Sequence, residues 1–226
     1  DDLPQLAQWA VVEHLLFGEG LALTSPLARG TIAMLEAAET QGLTHSTGWL
    51  AQGIWAGFGA LYGHLPLLQG RFEKAADILY AVANHASPLG TWVEEQSPAG
   101  APVKLAGDQP HCWASALFVR LAASLLACER AGEVHLLAGV PPEWLRPGAV
   151  NRLEAFATAH GPLSLTLTVA ADGRAATLQV EPPAAGRIQL HTTSLAAAGF
   201  RLEGANEPSG PLTLPPGRSA SYRFRR

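Results

Sequence analysis

Charged side chains are scarce in this sequence. Asp, Glu, Lys and Arg make up 15% of the 226 residues, and the formal net charge is −4. A nucleic-acid-binding surface needs clustered Lys and Arg, and an anionic membrane surface attracts the same residues. The composition therefore predicts no nucleic-acid partner and no electrostatic attachment to a membrane.

Long uninterrupted apolar runs are also missing. The Ala/Leu-rich segment 112–128 contains Arg120, and this position favours a buried helix over a membrane span, which needs about 20 predominantly apolar residues. The first residues show no charged segment followed by an apolar one, so no secretory signal is expected there.

Cysteine is nearly absent, since Cys112 and Cys128 are the only two. On a single helix rising about 1.5 Å per residue they would lie roughly 24 Å apart. A disulfide needs Cα atoms within about 7 Å of each other, so both are predicted to be free thiols. Free thiols favour a reducing compartment such as the cytoplasm.

The first part of the chain has the apolar periodicity of helices. The third predicted helix contains no Lys, Arg, Asp or Glu and five glycines, and a helix without a polar face must be covered on all sides. Polar-faced and wholly apolar helices alternate, which predicts two layers of antiparallel hairpins. The five predicted helices are 4–16, 25–40, 47–65, 71–84 and 110–130.

After Ala131 the pattern changes to short alternating strands separated by turn residues. LSLTLTVA places Leu163, Leu165 and Leu167 on one face, and Asp172-Gly173 predicts a hairpin turn before ATLQVE. We therefore predict a helical domain over 1–131 and an antiparallel β-sandwich domain over 132–226.

The segment 90–116, GTWVEEQSPAGAPVKLAGDQPHCWASA, combines carboxylates with aromatic and amide side chains. Cleavage of a glycosidic bond requires two carboxyl groups, and a sugar-binding site offers aromatic surfaces together with a few well-placed polar groups. Glu94 and Glu95 are the candidate catalytic residues. The candidate sugar-binding residues in this segment are Trp92, Gln96, Asp108, His111 and Trp113.

Three further candidates lie in the third predicted helix. Trp49, Gln52 and Trp55 are spaced by three residues, which would place them on one helix face. Core packing is the alternative interpretation of the two tryptophans, whereas a Gln between them favours contact with a sugar.

Several of these motifs occur together in one known family. The order WLAQGIW, GTWVEEQ, GDQPHCWASA and EVHLLAGVPPEWLRPGAV resembles the C-terminal part of the six-hairpin glycosidases, in particular the bacterial α-L-rhamnosidase-like enzymes. The resemblance implies an α+β multidomain fold, a partial (α/α)6 toroid of helical hairpins followed by an antiparallel β-sandwich. It also implies a carbohydrate substrate, an inverting mechanism, and no metal or organic cofactor.

The resemblance assigns roles to individual residues. The family's Thr-x-x-Glu loop supplies the general base, which corresponds to Glu94, with Glu95 as the alternative one residue away. Its polar, His-containing loop holds the sugar, which corresponds to Asp108, Gln109 and His111. The sequence QPHCW differs from the usual motif of the family, so the resemblance does not specify which sugar is bound.

A complete toroid needs twelve helices, whereas about five are predicted. The family's general acid is then expected in a missing N-terminal part of the toroid, which would also be a partner of this chain. Two other classes of function stay open: a non-catalytic carbohydrate-binding or structural piece, and a zinc-dependent α/α-toroid enzyme using Cys112 and His111.

Overall fold

A computed structural model describes residues 11–13, 15–16, 22–45, 49–50, 52–204 and 210–226, and divides the chain into two compact units, 1–122 and 123–226. The division falls within the last long helix. The predicted first helix, 4–16, lies largely outside the described residues.

The first unit contains helices and two small sheets. The helices are α1 (Pro26–Ala37), α2 (Ala56–Tyr62), α3 (His64–Gln69), α4 (Phe72–Asn84) and α5 (Cys112–Leu126), the last of which crosses the division. The strands are β1 (Glu39–Thr40), β2 (Leu43–Thr44), β3 (Ile54–Trp55), β4 (Glu95–Gln96) and β5 (Leu105–Ala106). β1 pairs with β2, and β3, β4 and β5 form a three-stranded antiparallel sheet.

The predicted partial (α/α)6 toroid is wrong. The described part of the chain has six helices and 14 strands in four sheets, a mixed architecture that does not match a helical toroid. The predicted third helix, 47–65, begins only at Ala56, and residues 54–55 are in a strand. This uncharged segment is divided again at Gly63, where an added Cβ would lie 2.6 Å from Leu121 Cδ2. Its glycines allow close packing and also shorten the helices.

Helix α1 begins where the sequence predicted. The Ser25 side chain accepts a hydrogen bond from the Ala28 backbone N–H at 3.2 Å, and Pro26 occupies the first turn. This contact satisfies one of the N–H groups that a helix start leaves without a partner.

Replacing Ser25 by Ala is expected to lower the free energy of unfolding by about 1 kcal/mol, because the Ala28 N–H loses its acceptor. Urea unfolding followed by circular dichroism measures the change. The neighbouring variant Thr24→Ala, at an exposed position, is the control. Equal effects of the two substitutions would contradict the role of Ser25 as the helix cap.

The second unit is built from two sheets. One is antiparallel, in the order β12-β14-β10-β9-β8, and the other has the order β13-β11-β7-β6. The strands are β6 (Ala127–Arg130), β7 (Glu133–Leu136), β8 (Val150–Thr158), β9 (Gly161–Val169), β10 (Ala175–Glu181), β11 (Arg187–Leu190), β12 (Arg201–Leu202), β13 (Leu212–Leu214) and β14 (Ala220–Arg225). A short helix, α6 (Thr193–Ala197), follows β11.

One hydrophobic core is shared by these two sheets. Alternate residues of β9, Leu163, Leu165 and Leu167, contribute to the same cluster as Ile188 of β11 and Phe224 of β14. The predicted hairpin at Asp172-Gly173 is present, since β9 and β10 pair around it and Gly173 has a φ of 69°. The all-antiparallel prediction is wrong, however, because β7 and β11 run parallel. The long crossover between them contains β8, β9 and β10, which is the kind of connection that parallel strands require.

Two histidines are in contact at the end of the parallel pair. His135 Nδ1 and His191 Nε2 are 2.8 Å apart, and His135 is buried. Burial, together with the nearby His135 and Arg130, lowers the pKa of His191 to about 4. Burial also lowers the pKa of His135; the charge of Arg130 lowers it further, whereas a hydrogen bond to the Arg130 backbone and the charge of Glu133 oppose the shift.

This pair predicts a loss of stability in acid. Between the ordinary pKa of 6.5 and about 4, the unfolded chain binds more protons at His191 than the folded chain does. The free energy of unfolding is therefore expected to fall as the pH drops through this range. We expect His191→Gln to show a smaller drop in urea midpoint between about pH 7 and about pH 4.5.

His64, whose pKa burial also lowers to about 4, is present in both proteins, so its contribution cancels from this comparison. An unchanged pH dependence in the variant would show that the His135–His191 pair does not determine it.

No helix of the described residues combines the length and the apolar composition needed to cross a bilayer. Both cysteines are free, as predicted, with Cys112 exposed in α5 and Cys128 buried in β6. Burial raises the pKa of the Cys128 thiol to about 11, which makes it a poor nucleophile.

Candidate active site

Strands β4 and β5 bring Glu94 next to Asp108 and His111, which follow it by 14 and 17 positions in the sequence. The pairing of Glu95 with Ala106 continues to Glu94, whose backbone N–H donates to the Asp108 carbonyl at 3.0 Å. His111 follows, and its backbone N–H donates to the Trp92 carbonyl at 2.7 Å. These contacts place the side chains of Glu94, Asp108 and His111 in one group. One carboxylate oxygen of each acid and one ring nitrogen of His111 all lie within 4.8 Å of one another.

The three side chains differ in exposure. Asp108 is exposed, the Glu94 side chain is 19% exposed, and His111 is buried at 7%. His111 Nε2 lies 4.0 Å from Glu94 Oε1, which is longer than a direct hydrogen bond. The buried imidazole of His111 therefore lies beside one partly exposed carboxylate, Glu94, and one exposed carboxylate, Asp108.

A glycine makes room for Glu94. Gly107 has a φ of 77°, and a Cβ added there would lie 2.6 Å from Glu94 Cβ and 2.9 Å from its Cδ. Real Cβ atoms essentially never approach so closely, so a larger residue would displace the carboxylate. Sequence reasoning did not identify Gly107, although its position directly before Asp108 in a turn-rich loop was a signal.

Glu95 is separated from this group. Glu95 begins strand β4, is 4% exposed and is not in the group formed by Glu94, Asp108 and His111. Its Oε1 accepts a hydrogen bond from the Leu50 backbone N–H at 3.2 Å. A Cβ at Gly53 would lie 2.9 Å from Glu95 Cδ. Glu95 thus connects strand β4 to Leu50, which precedes β3 in the sequence.

Two of the predicted aromatic residues lie beside the group. The rings of Trp55 and Trp113 meet edge to face, with centroids 5.8 Å apart and planes at 72°. The His111 ring lies 6.3 Å from Trp113 and 6.4 Å from Trp55. Trp113 is 42% exposed and Trp55 is buried at 9%, so Trp113 is the indole that presents a surface to solvent.

The remaining predicted residues do not join them. Trp92 is 5% exposed, its Nε1–H donates to the Val82 carbonyl at 2.8 Å, and its ring packs on Phe118 at 4.9 Å. It anchors the loop between α4 and α5 and offers no surface to a sugar. Gln96 follows Glu95 in β4 and pairs with Ile54 and Leu105.

The predicted helix face formed by Trp49, Gln52 and Trp55 is wrong. Trp49 is 65% exposed and precedes β3, Gln52 has a φ of 59°, and Trp55 is in β3. A spacing of three residues joins side chains only where the backbone is helical, and here it is not.

No protein-family model matches the chain, and no curated protein matches it. The resemblance to six-hairpin glycosidases therefore stays a prediction from the sequence, and the functional argument rests on the geometry of the site.

The zinc alternative left open by the sequence would use Cys112 together with His111. His111 is grouped with Glu94 and Asp108, whereas Cys112, the next residue in the chain, is not in that group.

Proposed function

We propose that this protein hydrolyses a glycosidic bond and that Glu94 is the base that activates the attacking water. The grouping of Glu94, Asp108 and His111 next to an exposed indole is the observation that carries this proposal. A carboxylate can accept the proton of a water, and a partly exposed indole can stack against the C–H face of a sugar ring.

His111 has a defined part in this mechanism. Its Nδ1 is buried and has no hydrogen-bond partner among the described residues, whereas Nε2 faces the Glu94 carboxylate. A neutral imidazole carries one proton, and that proton is better stabilised on Nε2, toward the carboxylates. His111 is then a donor that orients a water or a sugar hydroxyl between itself and Glu94.

Asp108 is assigned to orientation, because it lies too near Glu94 to be the acid of an inverting pair. Inverting glycosidases separate base and acid by roughly 6.5–9.5 Å to leave room for the water. A carboxylate oxygen of Glu94 and one of Asp108 lie within 4.8 Å of each other. The acid of the proposed inverting reaction is therefore a carboxyl group outside this group of three.

A panel of nitrophenyl glycosides that includes α-L-rhamnoside tests the proposal. We expect release of nitrophenol from one member, and NMR of the first-formed sugar should show the inverted anomer. Retention of configuration would contradict the inverting mechanism. Binding of a sugar without cleavage would instead support the carbohydrate-binding class, and a folded protein that neither binds nor cleaves any member would contradict both.

A further inference from the structure

Among the described residues, no Lys or Arg forms an ion pair within 4.0 Å of the two carboxylates of the site. His111 is the ion-pair partner of Glu94 there, at 4.0 Å, and Asp108 lies in the same group. Two carboxylates held this close repel each other, and a bound cation removes that repulsion.

His111 supplies a possible nitrogen ligand for such a cation. The side chain is 7% exposed, yet Nδ1 has no hydrogen-bond partner among the described residues and Nε2 stops 4.0 Å short of Glu94. Nε2 is the nitrogen that faces the carboxylates, and it makes no hydrogen bond to the described residues. Buried polar groups normally have partners, so a buried imidazole that directs Nε2 at two carboxylates is suited to a ligand bound at Nε2.

The donor set selects the class of ion. One imidazole nitrogen with two carboxylate oxygens suits Zn²⁺, Mn²⁺ and Co²⁺, whereas Mg²⁺ and Ca²⁺ prefer oxygen ligands alone. Metal–ligand bonds of about 2.1 Å place tetrahedral ligands about 3.4 Å apart. Side-chain rotation of Glu94 and the exposed Asp108 can close the present separation of up to 4.8 Å.

We propose that Glu94, Asp108 and His111 together bind one divalent transition-metal ion. The site does not depend on the glycosidase proposal, since its ligands are defined by the structure. It does have a consequence for that proposal, because the ion would replace the proton on His111 Nε2, and a metal-bound Glu94 cannot accept the proton of a water. The ion would therefore inhibit hydrolysis, and a chelator would restore it.

Titration of the chelator-treated full chain with Co²⁺ tests the site. Calorimetry is expected to give one ion per chain, and the visible absorption of Co²⁺ should report nitrogen and oxygen ligands. Asp108→Asn is expected to weaken binding at least tenfold, and so is Glu94→Gln. The matched control is Asp77→Asn, another exposed carboxylate in the first unit but outside the group, which should leave binding unchanged.

Two results would overturn the site. One is the absence of Co²⁺ binding up to about 1 mM, the lower limit of useful affinity. The other is binding that Asp108→Asn and Glu94→Gln leave unaltered in proteins with native circular dichroism. The nitrophenyl glycoside assay is carried out in the presence of chelator, so neither result affects it. Each of the two proposals can therefore be contradicted independently of the other.

Discussion

Replacing Glu94 by Gln is expected to lower kcat for glycoside hydrolysis by about 10²–10⁴-fold, the usual contribution of a positioned general base. Glutamine keeps the shape of the side chain over Gly107 but cannot accept a proton from water. The free energy of unfolding should change little, because the carboxylate is partly exposed and lies 4.0 Å from its imidazole partner. Single-turnover kinetics and urea unfolding measure the two quantities.

Glu95→Gln is the matched control for this experiment. Glu95 faces Gly53 and the Leu50 N–H, and a glutamine oxygen can still accept that hydrogen bond. We therefore expect nearly unchanged kcat. A large loss in Glu95→Gln with full activity in Glu94→Gln would reverse the assignment of the base.

Replacing Gly107 by Ala is expected to abolish both the proposed hydrolysis and the proposed metal binding. The left-handed backbone at φ 77° costs a non-glycine residue about 1–2 kcal/mol. The added methyl also overlaps Glu94, and overpacking of this kind typically costs a further 1–3 kcal/mol. Because the Glu94 carboxylate is displaced, the loss of kcat should be larger than the loss of folded protein accounts for.

Gly100→Ala separates the two effects. Gly100 lies in the same loop with a φ of 89°, and an added Cβ there meets nothing within 4 Å. In this variant the free energy of unfolding should fall only by the cost of the left-handed backbone conformation. Activity and Co²⁺ binding should be retained. If both variants lost activity equally, the contact of Gly107 with Glu94 would not be the cause.

Local patterns predicted the elements whose boundaries are set by nearby residues. Ser25-Pro26 caps α1, the amphipathic segment 71–84 becomes α4, and Asp172-Gly173 turns between β9 and β10. In each case, the deciding interactions are hydrogen bonds or turns within a few residues.

The same reasoning failed where an apolar segment has no clear period. The glycine-rich stretch 47–65 was predicted as one helix, and the predicted helix 110–130 includes the residues that form β6. Buried strands and buried helices are both apolar throughout, so composition does not distinguish them. The strand β8 was missed because Val150–Thr158 has mostly exposed side chains and no strict alternation of apolar residues.

The sequence by itself determined which residues are candidates for chemistry: Glu94, Asp108 and His111 were identified from their residue types and their turn-rich surroundings. Tertiary structure alone decided that they meet, that Glu95 is buried outside this group, and that Trp113 and not Trp92 presents an indole to solvent. The physical reason is the pairing of β4 with β5. Antiparallel register joins residues distant in sequence and sends neighbouring side chains to opposite faces, and no local pattern encodes that register.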